Sequence, residues 1–315
     1  MWSAPVGDGA KRTLTGADDF ESELGMLIGA HVSTGGGLSK AIERAEEMRC
    51  EAIQIFNQSP RMWKPTRYSD DDFAEFREAM KGSRVEVVAI HMIYLINPAA
   101  YDKEMQRKSL DSLTHALRVG DGIGALGVVV HPGALKDDTR ANARKRAVKL
   151  IKEALARSES CPIIYENTAG SPQLLGRDFD ETRELIERTG GSSSSSGRLG
   201  LCIDSCHLFA TGYDIRTPEG VSDLADEIDA KVGLKQLKLL HVNDAKDALG
   251  SNRDRHEAIG KGEIGRKGFR AFLGEKRFQG LPAVLEGPGV DGRAPVRKDV
   301  QLTRRLWREA TRSAS

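Results

Sequence analysis

Eight short apolar runs recur along this chain, near residues 26–30, 52–57, 85–91, 127–131, 162–166, 199–204, 237–242 and 282–286. Runs so short and so uniformly apolar read as strands buried on both faces, as parallel strands are. Helix-like segments lie between them, at 37–48, 70–82, around 102–122 and 137–157, then roughly at 178–189, 221–232 and 266–276. Successive runs begin about 36 residues apart, which fits one strand, one helix and two short loops. Eight such repeats closing on themselves predict an α/β chain folded as a TIM (β/α)8 barrel. An open doubly wound sheet would carry a phosphate loop after its first strand, but HVSTGGGLSK (31–40) lacks the GxGxxG spacing. The closing segment sets Leu302, Leu306 and Ala310 four apart beside Trp307. That stripe predicts an extra C-terminal helix docked by one face.

The chain has 315 residues, 39% hydrophobic and 30% charged, a globular composition that one barrel domain accommodates. Residues 1–24 read as a flexible extension and 25–315 as a single barrel domain. The stretch GGSSSSSG (190–197) reads as a flexible loop entering the sixth strand, at the barrel end remote from the chemistry. With 47 basic and 46 acidic residues, charge balance neither demands nor excludes a polyanionic partner. No apolar stretch is long enough to span a membrane, and the first 25 residues lack an apolar signal core. Cys50, Cys161, Cys202 and Cys206 lack paired zinc-finger spacing and read as reduced thiols. An intracellular monomer is therefore expected.

The strand ends carry the chemistry. LIGAHVS ends on His31, VVAIHM on His91, VVVHPG on His131 and IIYENTAG on Glu166. LCIDSCH follows with Asp204 and His207, LKLLHVND with His241, and AVLEG with Glu286. A barrel gathers the carboxyl ends of its strands at one rim, so these side chains should share one space. A lone strand histidine is ordinarily a core residue bonded to a carbonyl, but the six polar groups at the ends of strands three to eight, His91, His131, Glu166, Asp204, His241 and Glu286, need mutual compensation in one mouth. Metal ions provide it. Asp204 and His207 are three apart at the strand end, and Asp254 and His256 two apart in the loop after His241, so each pair can face one way. Zinc takes about four ligands, so nine candidates imply two or three ions, and the richness in imidazole favours zinc. Paired ions activate water and clamp both oxygens of a displacement at phosphorus, which makes phosphodiester hydrolysis the natural reaction. A metal-dependent sugar isomerase or epimerase on the same fold, or a non-catalytic DNA-binding module, are the alternatives.

Longer segments sharpen this. IGAHVS (28–33), HPG (131–133), ENTAG (166–170), CIDSCHLFATGYD (202–214) and LHVNDAK (240–246) strongly resemble endonuclease IV, the zinc-dependent abasic-site nuclease. DRH (254–256), GKGEIG (260–265) and LE (285–286) continue the resemblance, which runs in order over roughly residues 25–290. It implies a TIM barrel with three zinc ions that cuts duplex DNA 5′ to an abasic site, leaves a 3′-hydroxyl and trims blocked 3′ ends. It further implies that His91, His131 and Glu166 hold one zinc. Glu166, the expected catalytic centre, would bridge to a second held by Asp204, His241 and Glu286, and His207, Asp254 and His256 would hold the third. His31 is not a ligand in that family and is expected beside the cluster. For DNA, the resemblance implies that Arg61, in RMWKPTR (61–67), enters the base stack while Tyr94 and Leu95 insert at the minor groove. Lys246, Arg253, Arg255 and Lys261 are expected phosphate contacts. Met92, Ile93 and Gly287 depart from the family pattern and bear on substrate range.

Overall fold

The computed structural model describes residues 25–136, 138–190 and 197–312. The expected extension 1–24 and residues 191–196 of the expected flexible loop lie outside the described residues. The eight predicted strands form as β1 (Leu27–His31), β2 (Ala52–Phe56), β3 (Val87–His91), β4 (Val128–Val130), β5 (Ile163–Glu166), β6 (Leu199–Asp204), β7 (Leu237–His241) and the last barrel strand. Two further strands of two residues each, β8 (Asp244–Ala245) and β9 (His256–Glu257), make a small antiparallel hairpin before that last strand, β10 (Pro282–Leu285). The barrel closes in the order β1-β10-β7-β6-β5-β4-β3-β2, every pairing parallel.

Each barrel connection carries a helix: α1 (Lys40–Met48), α2 (Asp70–Lys81), α3 (Lys103–Ile123), α4 (Arg140–Ala156) and α5 (Phe179–Thr189). The sixth carries two, α6 (Ser205–Thr211) and α7 (Pro218–Lys231), and α8 (Gly265–Gly274) and α9 (Arg297–Arg312) complete the ring. Their starts follow from capping side chains that accept from free first-turn N–H groups. Ser69 forms a full capping box with Asp72, while Asp102, Thr139, Asp178 and Thr217 cap their helices singly. The C-terminal helix expected from the leucine stripe is α9. It buries Leu302 and Leu306 against α8, α1 and β1, sealing the junction of first and last strands. Among the described residues no helix is long and apolar enough to cross a membrane.

Alternation along the strands explains the rim. Inside the barrel, Ala52, Ala89, Val129, Ile164, Cys202, Leu239 and Val284 pack as one apolar cluster. Side chains on a strand repeat every two residues, so the next inward position on each strand lies two further along. Those positions are Gln54, His91, His131, Glu166, Asp204, His241 and Glu286. On β1 the pair is Gly29 and His31, and Gly29 is required by space, since a Cβ there would sit 1.6 Å from the Ala52 carbonyl oxygen. One apolar layer therefore floors one polar ring.

Candidate metal centre

Glu166 is the hub of that ring. Its Oε2 lies 3.2 Å from His91 Nε2 and 3.0 Å from His131 Nε2, and its Oε1 lies 3.0 Å from His241 Nδ1. His207 Nδ1 is 3.3 Å from the same Oε1. His241 Nδ1 is also 3.1 Å from Glu286 Oε2 and 3.9 Å from Asp204 Oδ2. Beyond Asp204, Asp254 Oδ1 stands 3.2 Å from both His207 Nε2 and His256 Nε2. The three groupings named from the sequence are thus brought together: within each of His91/His131/Glu166, Glu166/Asp204/His241/Glu286 and His207/Asp254/His256, the donor atoms lie within 4.8 Å of one another. A further grouping, Asp204/Cys206/His256, meets the same distance and was not expected. His91, His131, Glu166, His207, Asp254, His256 and Glu286, with His31, Phe56 and Tyr94, line an open cavity of about 200 Å³.

Local folding explains the convergence. Asp204 ends β6 and caps α6, its Oδ1 accepting from the His207 N–H at 2.9 Å. The cap places His207 one turn along, where Nδ1 meets the Asn167 carbonyl at 2.9 Å. That carbonyl can only accept, so the His207 proton sits on Nδ1 and Nε2 faces Asp254. His91 is oriented in the same way by the Met92 carbonyl, 2.7 Å from its Nδ1. Asn243 donates to both Asp204 Oδ2 at 2.6 Å and Glu286 Oε2 at 3.1 Å, holding two carboxylates in register. The hairpin β8–β9 delivers His256, and Asp254 precedes it on the adjoining loop.

So many carboxylates and imidazoles in one buried space distort each other's protonation. Burial alone would raise the Glu166 carboxyl, but His241 and His131 outweigh it and hold it well below the ordinary carboxylate range. Burial would lower His241, yet its contact with Cys202 and the Glu286 and Glu166 carboxylates drive it well above an ordinary imidazole. Cys202 beside it, pushed up to about 12 by burial, stays a neutral thiol. His207 is likewise raised against its burial by Asp204 and Asp254. The carboxylates thus demand positive charge from their neighbours, the demand a cation meets. His31 behaves differently: burial pushes it down to about 4, so it stays neutral. His256 Nε2 is buried and, although 3.2 Å from Asp254 Oδ1, makes no well-aligned hydrogen bond, a deficit that ligation would remedy.

The expected DNA-contacting residues stand at the rim. Tyr94 is 65% exposed and packs edge-on against Phe56 at 5.2 Å. Its N–H donates to the Pro60 carbonyl at 3.1 Å, tying its loop to the one that bears exposed Arg61. Leu95 is half-buried against the core, and Trp63 is tucked there too with Lys108 over its ring. Met92 and Ile93 are buried, so they act on the cavity only through packing. Gly287 lies where a Cβ would come 3.1 Å from the His256 Cβ, so the glycine admits the hairpin. Arg255 is paired within the chain: Asp247 holds its guanidinium at two points, with Nε 2.6 Å away. Lys261 donates to the Val290 carbonyl at 3.1 Å. Sequence reasoning missed Gln54, Asn167, Asn243 and Asp244, all buried and all bonded to the ring or to the loops that carry it. Their signal was proximity: Asn167 follows Glu166 directly, Asn243 and Asp244 lie two and three residues after His241, and Gln54 holds the inward place on β2.

Residues 42–306 match the family described as xylose isomerase-like TIM barrel. A probable endonuclease 4 of Halothermothrix orenii is 36% identical over 285 residues, covering 90% of this chain and 100% of that protein. Another, from Cenarchaeum symbiosum, is 36% identical over 265 residues, 84% of this chain and 93% of that one. The crystal structure of endonuclease IV from Thermus thermophilus aligns with a TM-score of 0.76 at 32% identity, over 90% of this chain and 98% of its own. A D-tagatose 3-epimerase-like protein aligns with a TM-score of 0.65 at 17% identity, a likeness of fold alone.

Proposed function

This chain belongs to the endonuclease IV family, and on that premise we propose that it is a DNA-repair nuclease that hydrolyses the phosphodiester 5′ to abasic sites and trims blocked 3′ ends. The observation that carries this reading is the sharing of Glu166 between two donor groupings, with a third one residue away through Asp204. Three zinc ions fit the donor chemistry: five imidazoles and four carboxylates, protons pinned on the outer nitrogens of His91 and His207, and the Nε2 of His256 without a well-aligned hydrogen bond. His91, His131 and Glu166 would hold one, Glu166, Asp204, His241 and Glu286 the second, and His207, Asp254 and His256 the third. Bound there, zinc supplies Lewis-acid activation of water and neutralises charge on the phosphoryl oxygens.

The chain's own residues do the rest. Glu166, low in pKa and caged by imidazoles, stays an anion and keeps two groupings in one geometry. The exposed ring of Tyr94, backed by Phe56, offers an apolar wedge against a base step, while Arg61 on the tied loop enters the gap. Kinking costs less where a base is missing, because less stacking is lost, and this selects the lesion without reading sequence. Half-exposed His131 at the cavity mouth leaves room for an extruded phosphodiester between the groupings.

A duplex with one abasic analogue tests the reading. The zinc-loaded protein should nick it on the 5′ side to leave a 3′-hydroxyl, and prior chelation should abolish the cut. Zinc-replete protein that leaves the duplex intact, or that turns over a ketose instead, would refute it.

A further inference from the structure

Gln54 occupies the one ring position of the barrel that carries neither imidazole nor carboxylate, and it is fully buried. Both its amide hydrogens and its carbonyl oxygen have partners. Its Nε2 lies 2.5 Å from Glu286 Oε1 and 3.2 Å from His31 Nδ1, and its Oε1 lies 2.9 Å from His241 Nε2. The strand register explains the reach, since Gln54 pairs with His31 on β1 and Ala89 on β3.

These contacts admit one assignment. A carboxylate only accepts, so the amide edge facing Glu286 is the NH2 group and the carbonyl is turned toward His241. A carbonyl also only accepts, so His241 donates from Nε2. Nδ1, the atom facing Glu166, Glu286 and Asp204, is then the nitrogen left to bind a metal, which would displace its proton. The remaining amide hydrogen goes to His31 Nδ1. His241 is thereby turned opposite to its neighbours, for His91 and His131 face Glu166 through Nε2, and His207 and His256 face Asp254 through Nε2.

We propose that Gln54 is a positioning residue that selects Nδ1 of His241 as its metal-binding nitrogen and braces Glu286 as the opposing ligand. The proposal rests on the metal reading above but not on the reaction assigned to it. An outer partner on a ligating imidazole fixes which nitrogen binds and how the ring is aimed, and its loss costs about 10–100-fold in metal affinity or activity. Here a single amide would do this for an imidazole and a carboxylate at once, from a strand that gives no ligand itself.

The test uses zinc-loaded, full-length protein and two readouts. Nitrogen-15 correlation spectra of the histidine rings should show His241 with its proton on Nε2 and metal on Nδ1. Gln54→Met keeps length and removes all three bonds. It should lose zinc to a competing chelator about 10–100-fold more readily from one site, with the helical circular dichroism of wild type retained. Should that variant not fold, Gln54→Glu serves, for its carboxylate can still accept from His241 but opposes Glu286. It should keep the Nε2 proton of His241 yet also release zinc more readily. His241 bound through Nε2 in wild type, or zinc retention within about twofold of wild type in the folded variant, would overturn the proposal. Wild type that shows the His241 pattern and cuts no DNA would sink the assigned reaction and leave this inference standing.

Discussion

Asp244 offers the sharpest quantitative test, because one buried carboxylate organises a whole loop. Its Oδ1 accepts from the N–H groups of Ala245, Ile264 and Gly265 at 2.9, 3.1 and 3.3 Å. Its Oδ2 accepts from Gly260 and Gly262 at 2.8 and 3.0 Å. In Asp244→Asn one oxygen becomes an NH2 group that faces donors. The less costly orientation turns it to the Oδ2 edge, where two part-buried N–H groups lose their acceptor. Each orphaned donor costs about 1–3 kcal/mol, so the GKGEIG loop should be destabilised by about 2–6 kcal/mol. Since about 1.4 kcal/mol is a tenfold change, amide exchange at Gly260 and Gly262 should accelerate at least about thirtyfold. Asp244 also begins the hairpin whose other strand carries His256, with Asp254 two residues before. Zinc held by His207, Asp254 and His256 should therefore leave the variant first under chelator challenge. Unchanged exchange at those two glycines, measured by mass spectrometry or NMR, would refute the reasoning.

The other predictions concern the reaction and the duplex. Glu166→Gln removes the anion shared by two groupings, so incision should be lost while binding to abasic duplex stays within about tenfold of wild type; preserved turnover in a gel assay would contradict the shared role. Tyr94→Ala should weaken binding to abasic duplex more than to intact duplex, and equal losses by fluorescence anisotropy would make Tyr94 a packing residue. Arg61→Ala should lower the slope of log affinity against log salt by about one, whereas Arg255→Ala should scarcely change it because Asp247 already compensates that charge. A reversed pattern of salt slopes would mean that the hairpin, not the rim loop, tracks the backbone.

The barrel and its ring were legible in the chain for one physical reason. A parallel strand buried on both faces must be apolar throughout, so a histidine or carboxylate at its end stands out against valine and isoleucine. VVVHPG and IIYENTAG advertise His131 and Glu166 in this way. Gln54 escaped because an amide within AIQIF raises no charge alarm, and only the alternation within the folded barrel shows that it shares the ring with His91 and His241. The hairpin escaped because strands of two residues have no period to read. The partners of Asp244 are five backbone N–H groups from segments up to 21 residues away, which no local pattern encodes. The same limit hid the acid partner of Arg255, which lies eight residues earlier across that hairpin. Sequence therefore announces groups that are costly to bury, while the neutral amides and backbone donors that make their burial tolerable become visible only once distant segments meet. At this site the second class includes Gln54, Asn167 and Asn243, which set the orientation of the first. A search for metal centres confined to His, Asp and Glu would recover the ligands and miss the parts that aim them.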